Sequence, residues 1–374
     1  MRSRTRVLLA GAAFVAVAAM APAAGAVTAA PSGWRVVPSP NPPNGAALAG
    51  VTAVSPTNFW AVGVDIAPDR SGRPFILHQT GTGAWHAVDV PALRSVSGRL
   101  AAVSAGSAND VWAVGVRAVP GAPLTAHFDG HTWRLVPSGP VGSGAALLGV
   151  ATLSPTNAWA VGSRQSGPST ATLVEHWNGK AWQVVPSPSP DPVSSLSAVV
   201  ALSPTDVWAV GKQGDEFVLP LVEHWDGHAW STVAVPVPVP HAELVGLTSI
   251  SAVSPHDIWA VGQGHLTEHW NGHAWQAVPA PAGSTDPDAT TNLNGVSARS
   301  ARDVWAVGTV SGTPSPRTVT EHWNGTTWTL VPSPTPGPGG AILNAVAAPA
   351  GGPTVAVGYV LANQARTLVL RNAR

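Results

Sequence analysis

Residues 206–211 read Asp-Val-Trp-Ala-Val-Gly, and variants of this phrase recur along the whole 374-residue chain. The phrases end at Gly63, Gly115, Gly162, Gly211, Gly262, Gly308 and Gly358. Successive glycines are 52, 47, 49, 51, 46 and 50 residues apart. A period near 50 residues is too long for most helical-pair or leucine-rich repeats, and it suits a unit of four short strands. The repeat therefore predicts an all-β protein of seven equivalent units.

Each unit shows the same order of strand and turn signals. Residues 196–232 begin with an apolar segment. The segments Val-Trp-Ala-Val-Gly, Leu-Val-Glu-His-Trp and Ala-Trp-Ser-Thr follow in that order, separated by short polar stretches. Runs of β-branched and aromatic residues between Pro, Gly, Asp and Asn are typical of strands joined by turns. We name the four strands a, b, c and d in chain order. An Asn-Gly or Asp-Gly pair between c and d supplies the positive φ that a tight turn needs.

The seventh unit lacks a strand d, and a matching segment stands near the other end of the chain. Residues 33–40 read Gly-Trp-Arg-Val-Val-Pro-Ser-Pro and match the strand d segments 181–188 and 327–334 almost residue for residue. We therefore expect a seven-bladed β-propeller of four-stranded antiparallel blades, in which residues 341–374 and 33–40 together form blade seven. Closing the ring in this way removes open strand edges.

The first 26 residues have the features of a secretory signal peptide, with a basic start, an apolar run from Val7 to Met20, and Ala24-Gly25-Ala26 as a cleavage pattern. No later apolar stretch approaches the roughly 20 residues of a membrane-spanning helix. We expect a secreted, monomeric protein in which residues 27–374 form one propeller domain. Because the chain has no cysteine, its stability has to come from packing.

The composition argues against several classes of function. Charged residues make up only 10% of the chain and the formal net charge is zero, so we expect neither a nucleic acid nor an anionic membrane as partner. The common nucleotide, metalloprotease, serine hydrolase and calcium-loop motifs do not occur in the sequence. The sequence therefore predicts no cofactor, no metal and no catalytic residue.

Tryptophan and histidine recur in register with the repeat. All 17 tryptophans fall at three repeat positions, which favours a role in packing blade against blade. A histidine recurs in six of the seven strands c, and we expect it to form a hydrogen bond between neighbouring blades. These histidines are His78, His127, His176, His224, His269 and His322, and a glutamate precedes the last four of them.

With strand b ending in glycine and strand d opening with Trp, the unit resembles the kelch and galactose-oxidase central-domain propellers. It departs from them in having one glycine where kelch units carry two. The chain is also more loosely similar to seven-bladed bacterial lectins. Copper chemistry of the galactose-oxidase type would need a cysteine-linked tyrosine, and this chain has no cysteine and only Tyr359. The resemblance therefore implies a fold rather than an activity.

Function is expected where the units differ, which is in the b–c and d–a connections at one face of the ring. The charged residues there are Asp69, Arg70, Arg73, Arg94, Arg99, Arg117, Arg164, Asp191, Asp215, Glu216, Asp286, Asp288 and Arg317. Blade five has the shortest b–c connection, and we hypothesise that the resulting notch brings His241, Glu243 and His265 together as a ligand-binding site. The first functional hypothesis is a non-catalytic module that binds a glycan, a cell wall or an extracellular protein. The alternative is a secreted carbohydrate-active enzyme (hydrolase, lyase or oxidase) with its site near the propeller axis.

Overall fold

The computed structural model describes residues 33–66, 71–118, 121–236, 245–286 and 288–373. Two three-residue 3₁₀ turns, Pro91–Leu93 and Gln263–His265, interrupt an otherwise all-β chain. The strands of blades one to three are β2 (Ala46–Ser55), β3 (Asn58–Ile66), β4 (Gly72–Thr80), β5 (His86–Ala87), β6 (Gly98–Ser107), β7 (Asp110–Arg117), β8 (Ala122–Phe128), β9 (Trp133–Leu135), β10 (Ala145–Ser154), β11 (Asn157–Ser166), β12 (Ser169–Trp177) and β13 (Trp182–Val184). Those of blades four to six are β14 (Ser194–Ser203), β15 (Asp206–Gln213), β16 (Leu219–Trp225), β17 (Trp230–Thr232), β18 (Leu247–Ser254), β19 (Asp257–Gly262), β20 (Thr267–Trp270), β21 (Trp275–Ala277), β22 (Thr290–Ser300), β23 (Asp303–Ser311), β24 (Arg317–Trp323) and β25 (Trp328–Leu330). Blade seven contains β26 (Ala341–Ala347), β27 (Thr354–Val360), β28 (Arg366–Asn372) and β1 (Trp34–Val37).

These strands form seven antiparallel sheets of four, so the predicted seven-bladed propeller is confirmed. Blade seven is closed as predicted, because β1 pairs with β28 and Trp34 stands opposite Asn372. The Trp34 ring also meets Trp305 of blade six edge to face, at 5.3 Å between ring centroids. The first strand of the propeller therefore supplies both the outer strand of the last blade and its contact with the preceding one. The predicted signal peptide, residues 1–26, lies outside the described residues and stays a prediction.

The glycine that ends each Trp-Ala-Val-Gly phrase is explained by a bulge in strand a. In all seven blades the a–b register slips by one residue next to this glycine, as between Leu196 and Ala198 in blade four. A Cβ on Gly211 would overlap the carbonyl oxygen of Ser195, and the other six glycines face the same obstruction. The bulge brings the two backbones too close for any side chain, which is why the degenerate seventh phrase also keeps its glycine.

The tryptophans pack blade against blade, as predicted. Trp112 of strand b in blade two contacts both Trp177 and Trp182 of blade three, each at 4.9 Å between ring centroids. The same arrangement recurs at the next blade boundary, where Trp159 meets Trp225 and Trp230. Edge and tilted contacts of this kind add to the area that each large ring buries.

The Ser-Pro segment that follows strand d is held by a threonine of strand c. In blade three the Thr172 hydroxyl lies 2.7 Å from the Ser187 hydroxyl and donates to the Pro188 carbonyl. Thr367 of blade seven makes the same pair of contacts with Ser39 and Pro40. The N-terminal segment therefore matches strand d of blade three not only in its paired residues but also in the Ser-Pro segment that follows, where the d–a connection begins.

Candidate functional site

The two faces of the ring are built differently. One face, which we call the turn face, carries the a–b and c–d connections, and the opposite loop face carries the b–c and d–a connections. The c–d turns share one design, in which the Asn178 side chain accepts hydrogen bonds of 3.0 Å from the backbone of Lys180 and Ala181, and Gly179 adopts a φ of +88°. Asp226 and Asn271 repeat this arrangement in the next two blades. The turn face is therefore stereotyped, as the sequence predicted.

The recurring histidines bond within their own blades, and the prediction of bonds between neighbouring blades is wrong. His127 Nε2 lies 2.8 Å from Oδ1 of Asp110, which begins strand b of the same blade. The imidazole also packs on Trp112 at 4.4 Å between ring centroids. The cause is the register, since Trp112 and His127 are direct cross-strand partners and therefore share one side of the sheet. The histidine row is part of the framework, and the tryptophans make the contacts between blades.

The central channel is lined by the bulged part of strand a. Two adjoining cavities of about 210 and 370 Å³ run along it, and no Asp, Glu, His, Lys or Arg contributes to the described walls. The longer polar side chains are used for structure: Thr248, Asn294 and Asn344 donate bonds of 2.6 to 2.8 Å to leucine carbonyls of the next blade. The described channel wall thus offers hydroxyl and amide groups, with no acid and base for proton transfer.

Four glutamates of strand c are buried between blades, on the side of the strand opposite to the histidines. Glu175 accepts hydrogen bonds from the Ser138 hydroxyl and the Gly139 backbone of the preceding blade. Neither carboxyl oxygen of Glu223 or Glu268 has a partner within the described residues. Burial raises the pKa of Glu223 to about 8 and the pKa of Glu268 to about 7, because the charged form loses its hydration.

The fourth buried glutamate belongs to the notch in blade five. His265 Nε2 lies 2.7 Å from Oε1 of Glu321 in blade six. His265 adopts a left-handed φ of +65°, the one described non-glycine residue to do so, and Gly264 donates its backbone N–H to the Asn292 side chain. These two hydrogen bonds therefore hold the short b–c connection of blade five against blade six. His241 and Glu243 lie outside the described residues, so the three-residue site stays a prediction.

The loop face carries a strongly exposed aromatic ring. Phe217 of the b–c connection in blade four is 69% exposed, more than any other large apolar side chain among the described residues. It stands at the end of a tight turn that starts at Gly214, which has a φ of +101°. Arg99, Arg164 and Lys212 are exposed at this face and Arg117 is half-buried. The sequence singled out the three arginines among the loop charges, whereas Phe217 carried no repeat signal that would mark it.

No group of three or more His, Asp or Glu side chains is arranged to hold a metal ion within the part of the chain that the structure describes. Among the same residues, no helix is both long and apolar enough to cross a membrane.

Comparison with known proteins gives the fold and no family. No family model matches the chain, and no curated protein matches it. Similar solved structures include YCF48 bound to a D1 peptide (16% identity, TM-score 0.58), which aligns over 91% of this chain and 97% of that one. YCF48 from Cyanidioschyzon merolae aligns over 91% and 98% (18%, 0.56), and the RRP9 WD40 repeats over 91% and 97% (13%, 0.61). Identities this low show a shared propeller architecture alone, and the kelch resemblance rests on the sequence motifs.

Proposed function

We propose that the chain is a secreted, non-catalytic binding propeller that uses its loop face to bind an extracellular glycan such as a cell-wall polysaccharide. The observation that carries the proposal is the difference between the two faces. On the turn face the recurring Asn, Asp, His and Trp side chains are engaged in turns, stacking and hydrogen bonds. On the loop face an aromatic ring and several basic side chains are exposed without such a structural partner.

The enzyme alternative is less well supported by the described site. Hydrolysis or elimination on a sugar needs at least two titratable groups converging on one accessible point. The described channel wall has none, and the four glutamates with unusual surroundings are 0–1% exposed between blades. A substrate in the described channel would therefore reach hydroxyl and amide groups, which suit binding.

The predicted signal peptide supports an extracellular ligand. The basic start, apolar run and small-residue pattern of residues 1–26 predict export. A low content of charged residues and the absence of cysteine leave a mature protein held together by aromatic packing. Such a rigid ring presents its b–c and d–a connections in fixed positions, which limits the entropy lost on binding.

The test compares two exposed apolar residues on different parts of the blade. Phe217→Ala removes the exposed ring of the loop face, and Leu330→Ala removes a side chain that is 43% exposed on the outer strand of blade six. We expect Phe217→Ala to weaken binding of the mature chain to an insoluble cell-wall polysaccharide fraction by about 5- to 10-fold, measured by depletion from solution. Leu330→Ala should bind as the parent does. Equal binding by all three proteins would contradict a role for this part of the loop face, and no binding by the parent would contradict the proposed function.

A further inference from the structure

Three consecutive blades place a basic side chain near the loop-face end of strand b. Arg117 and Arg164 each lie two residues after the phrase-ending glycine of their blade, and Lys212 lies one residue after it. Arg99 is the second residue of strand a in blade two, where it pairs with Val116, the residue before Arg117. In blades five to seven the position directly after the glycine holds Gln263, Thr309 and Tyr359. We call the four cations the basic row.

The backbone fixes the spacing of the basic row. Arg117 pairs with Ala122, the adjacent Gly121 carbonyl accepts a bond from Ala145, and Ala145 pairs with Arg164. Three inter-strand steps therefore separate the two arginines, which is about 15 Å.

Three inter-strand steps also lead from Arg164 to Lys212 in blade four. Arg164 pairs with Ala171, the neighbouring Thr170 donates to the Pro192 carbonyl at 2.9 Å, and strand a of blade four then pairs with strand b, which carries Lys212. Along the connected strands the row thus extends about 30 Å.

The cations of the basic row differ from three other arginines of the described chain. Arg94, Arg134 and Arg299 are each paired with an aspartate, whereas no ion pair involves a member of the basic row within the residues that the structure describes. Between Arg117 and Arg164 stand Gly121 and Gly144, and a Cβ on Gly121 would meet the backbone of Gly144. Neither glycine places a side chain between the two arginines.

We infer that the basic row binds an acidic linear polysaccharide, one that carries carboxylate or phosphate groups; this inference rests on the binding function proposed above. A span of about 30 Å suits a polymer rather than a single small anion, and guanidinium groups pair with both kinds of anion in the same fork geometry. The exposed Phe217 ring stands five residues beyond Lys212 and offers a flat surface to a sugar ring.

Two carboxylates mark the end of the basic row. Asp215 and Glu216 precede Phe217 on the turn of blade four and are exposed, and they repel a polyanion that reaches this turn. Asp215→Asn/Glu216→Gln should therefore tighten binding of an acidic polymer by about 2- to 5-fold, while leaving binding of a neutral one unchanged.

The experiment compares two triple variants with the same change in charge. Arg117→Gln/Arg164→Gln/Lys212→Gln removes three of the four positive charges of the basic row, and Arg35→Gln/Lys180→Gln/Arg302→Gln removes two arginines and one lysine that are exposed elsewhere. The probes are polygalacturonate (carboxylate), polyglycerol phosphate (phosphate), dextran (neutral sugar) and poly-L-glutamate (acidic peptide). Affinities of the mature chain are measured at low and high salt.

We expect the parent and the control variant to bind one of the two acidic polymers more tightly than dextran, with affinity falling as salt rises. The basic-row variant should lose about 10-fold or more in affinity. The polymer preferred by the parent then distinguishes a carboxylate from a phosphate ligand. Dextran binding that equals that of the acidic polymers, and that the basic-row variant retains, would overturn this inference while leaving a glycan-binding propeller. A preference for poly-L-glutamate would overturn it in favour of an acidic peptide, and binding of no probe would count against both proposals.

Discussion

Replacing Glu223 should make the protein more stable at high pH. Glu223 is fully buried, its carboxyl oxygens have no partner within the described residues, and burial raises its pKa to about 8 from an ordinary value of 4.5. Between about pH 4.5 and pH 8, Glu223 therefore keeps its proton in the folded chain but has lost it in the unfolded chain. Stability falls as the pH rises through this window, and the full loss is reached above it. Since one pKa unit corresponds to about 1.4 kcal/mol, the loss amounts to about 4 to 5 kcal/mol.

Two other blades carry leucine at the position of Glu223, which makes leucine a suitable replacement. Leu77 in blade one and Leu370 in blade seven occupy the position that Glu223 has in blade four, directly opposite the alanine of strand b. Glu223→Leu should leave stability nearly unchanged at pH 5 and raise it by about 4 kcal/mol at pH 9 relative to the parent. Glu268→Leu should give a smaller gain, because burial raises that pKa only to about 7.

Urea unfolding followed by tryptophan fluorescence at pH 5, 7 and 9 measures the effect. Glu175→Leu is the matched control, because Glu175 is equally buried but accepts hydrogen bonds from Ser138 and Gly139. Its replacement leaves those donors unpaired, which costs about 1 to 3 kcal/mol, so this variant should be less stable than Glu223→Leu at every pH. A difference between Glu223→Leu and the parent that stays constant from pH 5 to pH 9 would refute the reasoning.

Three further substitutions test the framework. Trp34→Ala removes the edge contact with Trp305 that closes the ring and should cost about 3 to 5 kcal/mol; an unchanged thermal midpoint would refute the closure. Gly211→Ala should lower the midpoint far more than Gly167→Ala, since a Cβ at 211 overlaps strand a whereas position 167 is open, and equal midpoints would rule out the bulge as the reason for this glycine. His265→Ala leaves the buried Glu321 without its partner and should cost about 1 to 3 kcal/mol at pH 7, and a thermal midpoint equal to the parent's would show that the clamp between blades five and six contributes nothing.

The architecture could be predicted because the same signals recur in every unit. The Trp-Ala-Val-Gly phrase set the blade count, and the likeness of residues 33–40 to strand d predicted the closure. The bulge opposite the glycine could not be predicted, because it depends on the register between two strands. The histidine partners were assigned to the wrong blade for a related reason, since cross-strand pairing puts His127 and Trp112 on one side of the sheet.

The candidate site was harder to predict because binding residues break the repeat. Arg117 and Arg164 stood out only as loop charges, although their shared distance from the preceding glycine was a usable signal. Lys212 is not among the charged loop residues that the sequence singled out, and its place in the basic row follows only from the connected strand edges of blades three and four. The buried glutamates were a second usable signal, since residues next to the histidines must point to the opposite side of the strand.

Hydrogen–deuterium exchange of the mature chain with and without a bound cell-wall polysaccharide tests the central claim, that this propeller binds through its loop face. The account predicts that protection on binding concentrates in segments 163–170 and 211–218 of the loop face. The c–d turns at 178–181 and 226–229, which lie on the turn face, should exchange at unchanged rates. Protection confined to those turns, with none at the loop face, would contradict the account.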